Sequence, residues 1–302
     1  MRIAVIVNGI SLRKNFLYET ILSSLKNRFT LEIFQTQTIH DGVDLASGAA
    51  DKQFDVILAA GGDGTVHQVV NGILQGRESN EDLPTLGVIP IGTGNDLARG
   101  LGLTTDVKQL LKLLTRFEPI KIDVGKVDFT AANGTSDSRY FINVADIGMG
   151  PDVVKRVMAS TLIFGSAFAY YTSILSTFIR YKPVTASVKT EDWQWSGKLR
   201  TLAIANGNYY GHGLCIAPEA SVTDGVFETF ICGNASITDF ILQSQNLKLG
   251  RKIVHDEVTY LRASKYNLSA GSKCGIEADG EFLGWLPARV SLIPQRLKLL
   301  AP

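Results

Sequence analysis

The chain has 302 residues, more than one hydrophobic core ordinarily fills, so its length predicts two domains. Hydrophobic residues make up 45% and charged residues 20%, the proportions of a soluble globular protein, and a formal net charge of +1 argues against a nucleic-acid binder that works by blanket phosphate neutralisation. Cys215, Cys232 and Cys274 are odd in number and too far apart for a metal-binding pair or a dense disulfide framework, which fits a reducing compartment.

The first apolar run, Ile3-Ala-Val-Ile-Val7, ends at Asn8-Gly9; it is too short for a signal-peptide core and reads as a buried strand. A regular alternation follows: strand 3–7, helix 16–27, strand 30–35, helix 41–50, strand 55–60, helix 65–75, strand 85–91, and helices 94–101 and 106–115. Short apolar strands alternating with helical periodicity predict a parallel sheet with crossover helices, a Rossmann-like α/β domain. Past a junction near 123–126 the texture changes to strand-like runs at 140–147, 184–190, 198–206, 226–232, 257–263, 266–269, 273–278 and 288–293, with helical stretches only at 152–180 and 236–250. That pattern predicts a β-sandwich or barrel-like second domain, with a cleft between the halves. Residues 157–179 carry no charge and are long enough to span a bilayer, but Ser, Thr, Gly and paired tyrosines favour a buried or interfacial helix.

Two glycine-rich turns fall at the carboxyl ends of predicted strands, where ligands of open α/β sheets bind. Gly61-Gly62-Asp63-Gly64-Thr65 follows 55–60, and Gly92-Thr93-Gly94-Asn95-Asp96 follows 85–91. Glycine lets a phosphate approach backbone N–H groups, and a following helix adds its positive N-terminal end. Asp63 and Asp96 beside such a site would repel phosphate unless a cation lay between them, which points to magnesium. No G-x-x-x-x-G-K-[ST], no G-x-G-x-x-G after the first strand and no G-x-S-x-G is present, so a Walker ATPase, an ordinary dinucleotide fold and a serine hydrolase are unsupported.

Further on, Asp279-Gly280-Glu281 places two carboxylates either side of a glycine. On an extended segment they face one way and address one site as base and cation holder; the bland alternative is an Asp-Gly hairpin turn. Pro218 to Gly225 reads as another turn, and His40, His67, His212 and His255 show no metal-ligand spacing.

Together these stretches resemble the diacylglycerol kinase catalytic family, which includes bacterial lipid kinases and is similar to sphingosine kinases. The resemblance covers nearly the whole chain: Asn8, Thr36, GGDGT at 61–65 with Asn71, Pro90-Ile-Gly-Thr-Gly-Asn-Asp-Leu-Ala-Arg99, Ile122-Asp123, Asn143 with Gly148, Asn206-Gly207, Pro218 to Gly225, and Asp279-Gly-Glu281. GGDGT alone is shared with NAD kinases and phosphofructokinases; the three late and early motifs in this order are more specific. Gln68 stands where the family usually has Glu, and Gly9 and Gly211-His-Gly213 also depart from its pattern.

The resemblance implies an α/β nucleotide-binding domain at 1–123, to which about 294–302 return, and a β-sandwich lipid-substrate domain at 124–293. It implies ATP held by Gly61, Gly62, Asp63, Gly64, Thr65, Gly92, Thr93 and Asn95, joined by Asn8 and Thr36. Asp63, Asp96, Asp123 and Glu281 would organise magnesium and water, with Asp279 as general base. A second, structural magnesium is implied at Asp224 with the carbonyls of Ser221 and Val226. The expected reaction is transfer of the γ-phosphate of ATP to a lipid hydroxyl, on diacylglycerol or a related lipid. The lipid tail would lie along 157–179, with Lys155, Arg156, Arg180 and Lys182 near headgroups. Alternatives are a kinase of a soluble substrate such as NAD and a non-catalytic nucleotide-binding or membrane-docking protein. The expected setting is cytoplasmic, peripheral to the inner face of the membrane, with no nucleic-acid partner and a homodimer left open.

Overall fold

The computed structural model describes residues 1–38, 41–79, 83–131, 133–159 and 166–302, and of Met158, Ala159 and 166–169 the backbone alone. The chain separates into two units, Met1–Asp123 with Pro294–Pro302, and Val124–Ile293.

The first unit opens with β1 (Arg2–Val7), α1 (Lys14–Phe16), a π-helical stretch Leu17–Leu22, and α2 (Ser23–Lys26). It continues through β2 (Thr30–Gln35), α3 (Asp41–Asp51), β3 (Val56–Gly61), α4 (Asp63–Leu74), β4 (Thr85–Pro90), α5 (Asp96–Gly100) and α6 (Val107–Arg116). The strands lie parallel in the order β2-β1-β3-β4, and Leu299 near the C-terminus pairs in parallel with Leu86 of β4. Every residue of β3 and β4 is buried, because a parallel sheet covered by crossover helices offers water neither face; β2, at the edge, is largely half-exposed. Leu17, Ile21, Leu110 and Leu114 pack with Ile3, Val5 and Val7 in one core. Elsewhere α3 and α4 meet through small residues: a Cβ on Gly72 would stand 2.7 Å from the Ala46 methyl carbon, so only glycine lets the helices approach this closely.

β5 (Ile120–Thr130) carries the chain past Asp123, and the second unit follows with β6 (Ser136–Phe141), β7 (Val144–Gly148), α7 (Gly150–Ala159) and α8 (Ser166–Arg180). Then come β8 (Val184–Lys189), β9 (Gln194–Leu199), β10 (Thr201–Ala205), the short hairpin β11 (Tyr209–Tyr210) and β12 (Leu214–Cys215), β13 (Phe227–Cys232) and α9 (Ile237–Lys248). β14 (Val258–Ala263), β15 (Lys265–Ala270), β16 (Gly275–Ala278) and β17 (Glu281–Leu299) complete it.

Strand order runs β14-β13-β10-β7-β16-β17, antiparallel throughout; β17 also pairs with β15, which pairs with β8, which pairs with β9. Side chains from both sets of strands interdigitate as a sandwich core containing Phe141, Val188, Ile204, Phe227, Tyr266 and Val290. Phe227 stacks on Phe141 with centroids 5.5 Å apart, and the buried Tyr266 hydroxyl meets Thr229 Oγ1 at 2.7 Å. The hydroxyl also donates to the Ala263 carbonyl at 3.0 Å, so the buried ring carries no unpaired polar group.

Three predicted runs differ in detail. The run 140–147 breaks at Ile142–Asn143, whose backbone N–H groups turn to a side chain described below. The run 198–206 is two strands broken at Arg200, whose Nη1 reaches the Phe178 carbonyl at 3.0 Å. Helix 152–180 is α7 and α8, with 160–165 outside the described residues, and no described helix is long and apolar enough to cross a membrane.

Candidate functional site

The GGDGT turn begins where β3 ends and α4 starts. Gly61 closes the strand, Gly62 is the residue before the helix, and Asp63, Gly64 and Thr65 form its first turn. The second glycine turn lies directly against it. Gly92 N–H donates to the Gly61 carbonyl at 3.1 Å, and a Cβ on Gly92 would fall 2.2 Å from Gly62 Cα. Asn95 sustains that turn from the left-handed region at φ 54°: its Oδ1 accepts from Gly92 N at 3.1 Å and its Nδ2 donates to the Pro90 and Gly92 carbonyls. Asp63 Oδ1 accepts from Leu97 N at 3.2 Å, so one carboxylate ties the first turn of α4 to the first turn of α5.

The chemistry of an anion cradle is present. Gly64 is exposed with no atom within 4 Å of the position a Cβ would take, leaving the twelve-residue helix α4 open at its first turn. Thr93 is exposed beside it, whereas Asp96 and Asp123 are buried, the latter accepting from Gln295 N at 2.8 Å. On the neighbouring strand, Asn8 Oδ1 takes Ile10 N at 3.1 Å and Thr36 Oγ1 takes Gly9 N at 3.0 Å, so both residues shape the turn after β1. Gln68 does not stand at the turn: a Cβ on Gly42 would lie 2.2 Å from its amide oxygen, which places it over the start of α3.

In the second unit, Asp279-Gly280 is a two-residue hairpin turn between β16 and β17 with φ of 49° and 85°. This corrects the sequence reading: the segment is not extended, so Asp279 and Glu281 are not brought to one site by strand alternation. Asp279 Oδ2 accepts from Ile142 N and Oδ1 from Asn143 N and Val144 N, each at 3.0 Å, while Glu281 Oε1 lies 3.7 Å from Arg139 Nε. The turn is thus both the hairpin that Asp-Gly suggests and a carboxylate fixed by three amides.

Asp224 lies on an exposed turn, accepting from Val226 N at 3.3 Å with Arg262 Nη1 at 3.9 Å; Ser221 Oγ meets Thr223 Oγ1 at 3.1 Å. Among the described residues no group of three or more His, Cys, Asp or Glu is placed to hold a metal on its own. His67 is buried with Asn71 Nδ2 at 3.3 Å from its Nε2, His212 stacks near Tyr170, and His255 Nδ1 accepts from Glu257 N; His40 lies outside the described residues.

Sequence reasoning missed a small apolar pocket of the second unit, with a cavity volume of about 100 Å³. Its walls include Val153, Ile174, Phe178, Phe230, Phe240 and Leu247, and Asp146, Thr201 and Tyr210 also line it. Asp146 and Glu277 are both buried, and burial pushes the Asp146 carboxyl up to about 7 and Glu277 well above the usual carboxylate range. The available signal was a carboxylate inside an otherwise apolar strand run, Val144 to Gly148 and Gly275 to Ala278. Of the basic residues flanking 157–179, Lys155 sits 3.7 Å over the Phe282 ring and 4.4 Å over that of Trp285, and Arg180 and Lys182 are exposed.

A parallel α/β unit with locked glycine turns and an antiparallel sandwich carrying an amide-held carboxylate, in one chain, define the architectural class shared with NAD kinase-like sandwiches. Residues 2–127 match the model of the diacylglycerol kinase catalytic domain, and residues 143–301 match that of the YegS C-terminal NAD kinase beta sandwich-like domain. The chain belongs to the diacylglycerol kinase catalytic family. Curated proteins named diacylglycerol kinase from Staphylococcus carnosus and Bacillus subtilis are each 28% identical, covering 98% and 100% of this chain and 92% and 96% of their own length. A crystal structure described as a diacylglycerol kinase from Bacillus anthracis superposes with a TM-score of 0.73 at 23% identity, covering 100% of this chain and 97% of that one. Yeast NADH kinase complexed with NADH gives 0.54 at 11%, covering 100% and 84%. At these identities the solved structures show the fold.

Proposed function

We propose that the protein is an ATP-dependent lipid kinase that transfers the γ-phosphate of ATP to the hydroxyl of diacylglycerol or a related lipid. The observation that carries the reading is the Gly62–Gly92 contact, which keeps side chains away from the open first turn of α4 and leaves backbone N–H groups for phosphate. Gly61 to Thr65, Gly92, Thr93 and Asn95 would receive the nucleotide, with Asn8 and Thr36 shaping the adjoining turn. Magnesium would arrive on the phosphates, since no described side-chain cluster holds it alone, and Asp63, Asp96, Asp123 and Glu281 would serve it directly or through water. When bound, the ion neutralises charge on the phosphates.

Phosphoryl transfer asks mainly for positioning, so the residues' work is orientation. Asp279 is suited to it: three amides fix the carboxylate in place, and a fixed carboxylate is a group that can take an acceptor hydroxyl's proton. The apolar pocket supports a lipid over a soluble acceptor such as NAD, with the tail along Ile174 and Phe178 of α8. Exposed Arg180 and Lys182 suit the anionic inner surface of a membrane.

Turnover of labelled ATP by purified protein, with lipid micelles, with NAD and with neither, tests the reading. Lipid-dependent product supports it; NAD-dependent product alone, or none with either acceptor, overturns it.

A further inference from the structure

A larger hollow lies on the solvent face of the β-sandwich, a groove of about 920 Å³. Strand alternation builds it: Val188, Leu268, Ala288 and Val290 turn into the sandwich core, so Lys189, Asn267 and Arg289 turn outward. Register then sets these three in one row, with Asn267 of β15 standing opposite Lys189 of β8 on one side and Arg289 of β17 on the other. In the next row Ser187 and Ser269 face each other, their hydroxyl oxygens 2.8 Å apart. Across β17, Asp128 and Thr130 of β5 and Ser136, Asp137 and Ser138 of β6 complete the groove.

The charges of the groove are unevenly matched. Asp128 Oδ1 lies 3.2 Å from Lys126 Nζ, and Asp137 takes Ser138 N at 2.7 Å with Arg139 Nη2 at 4.0 Å, so both acids already face cations. Lys265, two residues along β15 from Asn267, is likewise held by Glu191 at 3.2 Å. Among the described residues Lys189 and Arg289 have no such partner, and the Asn267 amide makes no hydrogen bond. The serine pair adds a further donor, since whichever hydroxyl donates within the pair, the hydrogen of the other is left to point outward. Two strand spacings, roughly 10 Å, separate the Lys189 and Arg289 backbones, a gap that two long side chains can close over one oxyanion seated at Asn267.

We propose that this groove binds the phosphate monoester of a soluble polyol, such as a sugar phosphate. Arg289 offers its planar fork to two phosphate oxygens, Lys189 adds a point charge, and Asn267 with the serine pair supplies neutral hydrogen bonds. The body of the ligand is a polyol because the wall across β17 presents hydroxyls and carboxylates, which accept from a sugar's O–H groups, and because the groove holds far more than a bare ion. Its source is soluble rather than a bilayer: none of the strongly exposed apolar side chains among the described residues lines the groove, so nothing there would enter a membrane. Every lining residue lies in the second unit and none has a part in ATP binding or phosphoryl transfer, so the proposal stands apart from the kinase reading.

The test is equilibrium titration with glucose 6-phosphate, myo-inositol 1-phosphate, the two parent polyols and inorganic phosphate, in excess magnesium-ATP so that the glycine turns of the first unit do not take the phosphate. At least one ester should bind saturably, about tenfold or more tighter than its parent polyol and than inorganic phosphate. Lys189→Ala and Arg289→Ala should each weaken that binding about tenfold, the worth of a hydrogen bond to a charged group, while Lys265→Ala, which removes the same charge two residues from Asn267, should not. All three side chains are exposed on the sheet, so each variant should melt near wild type and report on binding by itself. Failure of both esters to bind, inorganic phosphate or free polyol binding as tightly as the ester, unchanged affinity in either groove variant, or an equal loss in Lys265→Ala overturns the proposal. Capture of anionic vesicles through Lys189 and Arg289 in place of either ester would overturn it in favour of a bilayer.

Discussion

Gly92 packs on Gly62 so closely that a single added methyl would stand 2.2 Å from the opposing Cα, whereas Gly64, two residues along, has open space at the same position. Glycines of one motif therefore hold different positions for different reasons, and substitution separates them. Gly92→Ala should lower thermal stability by about 1–3 kcal/mol, since backbone must shift to admit the methyl. Gly64→Ala should leave the melting temperature unchanged or raised, by up to ~1 kcal/mol of helix propensity, yet weaken magnesium-ATP binding about tenfold by crowding the phosphate approach. Melting curves and calorimetric titration read both; undiminished ATP affinity in Gly64→Ala would remove the α4 terminus from the site.

Asp279→Asn tests the base. The amide nitrogen must face one of the three backbone N–H donors, so the variant should lose about 1–3 kcal/mol of stability as well as turnover. A general base should cost 10²- to 10⁴-fold in rate, roughly 3–5 kcal/mol of barrier, with ATP affinity nearly unchanged. Rates measured well below the variant's melting temperature that match wild type would reduce Asp279 to a turn residue.

Stability should fall as pH rises, through Asp146. Its carboxyl, ordinarily near 3.8, is raised to about 7 by burial, so the folded chain keeps a proton that the unfolded chain has lost between about pH 4 and pH 7. The contribution is fully present below about pH 4 and is lost as pH rises through 7, at about 1.4 kcal/mol per unit in that window. Glu277 acts in the same direction. The melting temperature of Asp146→Asn should therefore slope less between pH 5 and pH 8 than that of wild type; identical slopes would show that Asp146 keeps no proton in the fold.

At the turn after Pro218, Asp224→Ala asks whether a cation is held there. If magnesium binds this carboxylate with the Ser221 and Val226 carbonyls, the variant should melt lower and lose most of the magnesium-dependent rise in melting temperature, because an ion bound to the native state shifts unfolding by mass action. An unchanged magnesium response would leave Asp224 with Val226 N and Arg262 as its partners.

Local chemistry made much of the protein legible in its sequence. Buried parallel strands are continuous apolar runs and glycine turns are their punctuation, so β1, β3, β4 and the two turns stood out from neighbouring residues alone. What lay beyond it depends on pairs far apart in the chain. Only the folded chain could bring Gly92 onto Gly62, or break a predicted strand at Ile142 so that its amides could hold Asp279, 137 residues away. The hairpin at Asp279-Gly280 was visible as a turn, but its positive φ values, which take the segment out of the extended conformation, follow from the strand pairing. Asp146 and Glu277 were single charges in apolar runs; burial changes their proton affinity, and burial is a property of packing that no local pattern encodes.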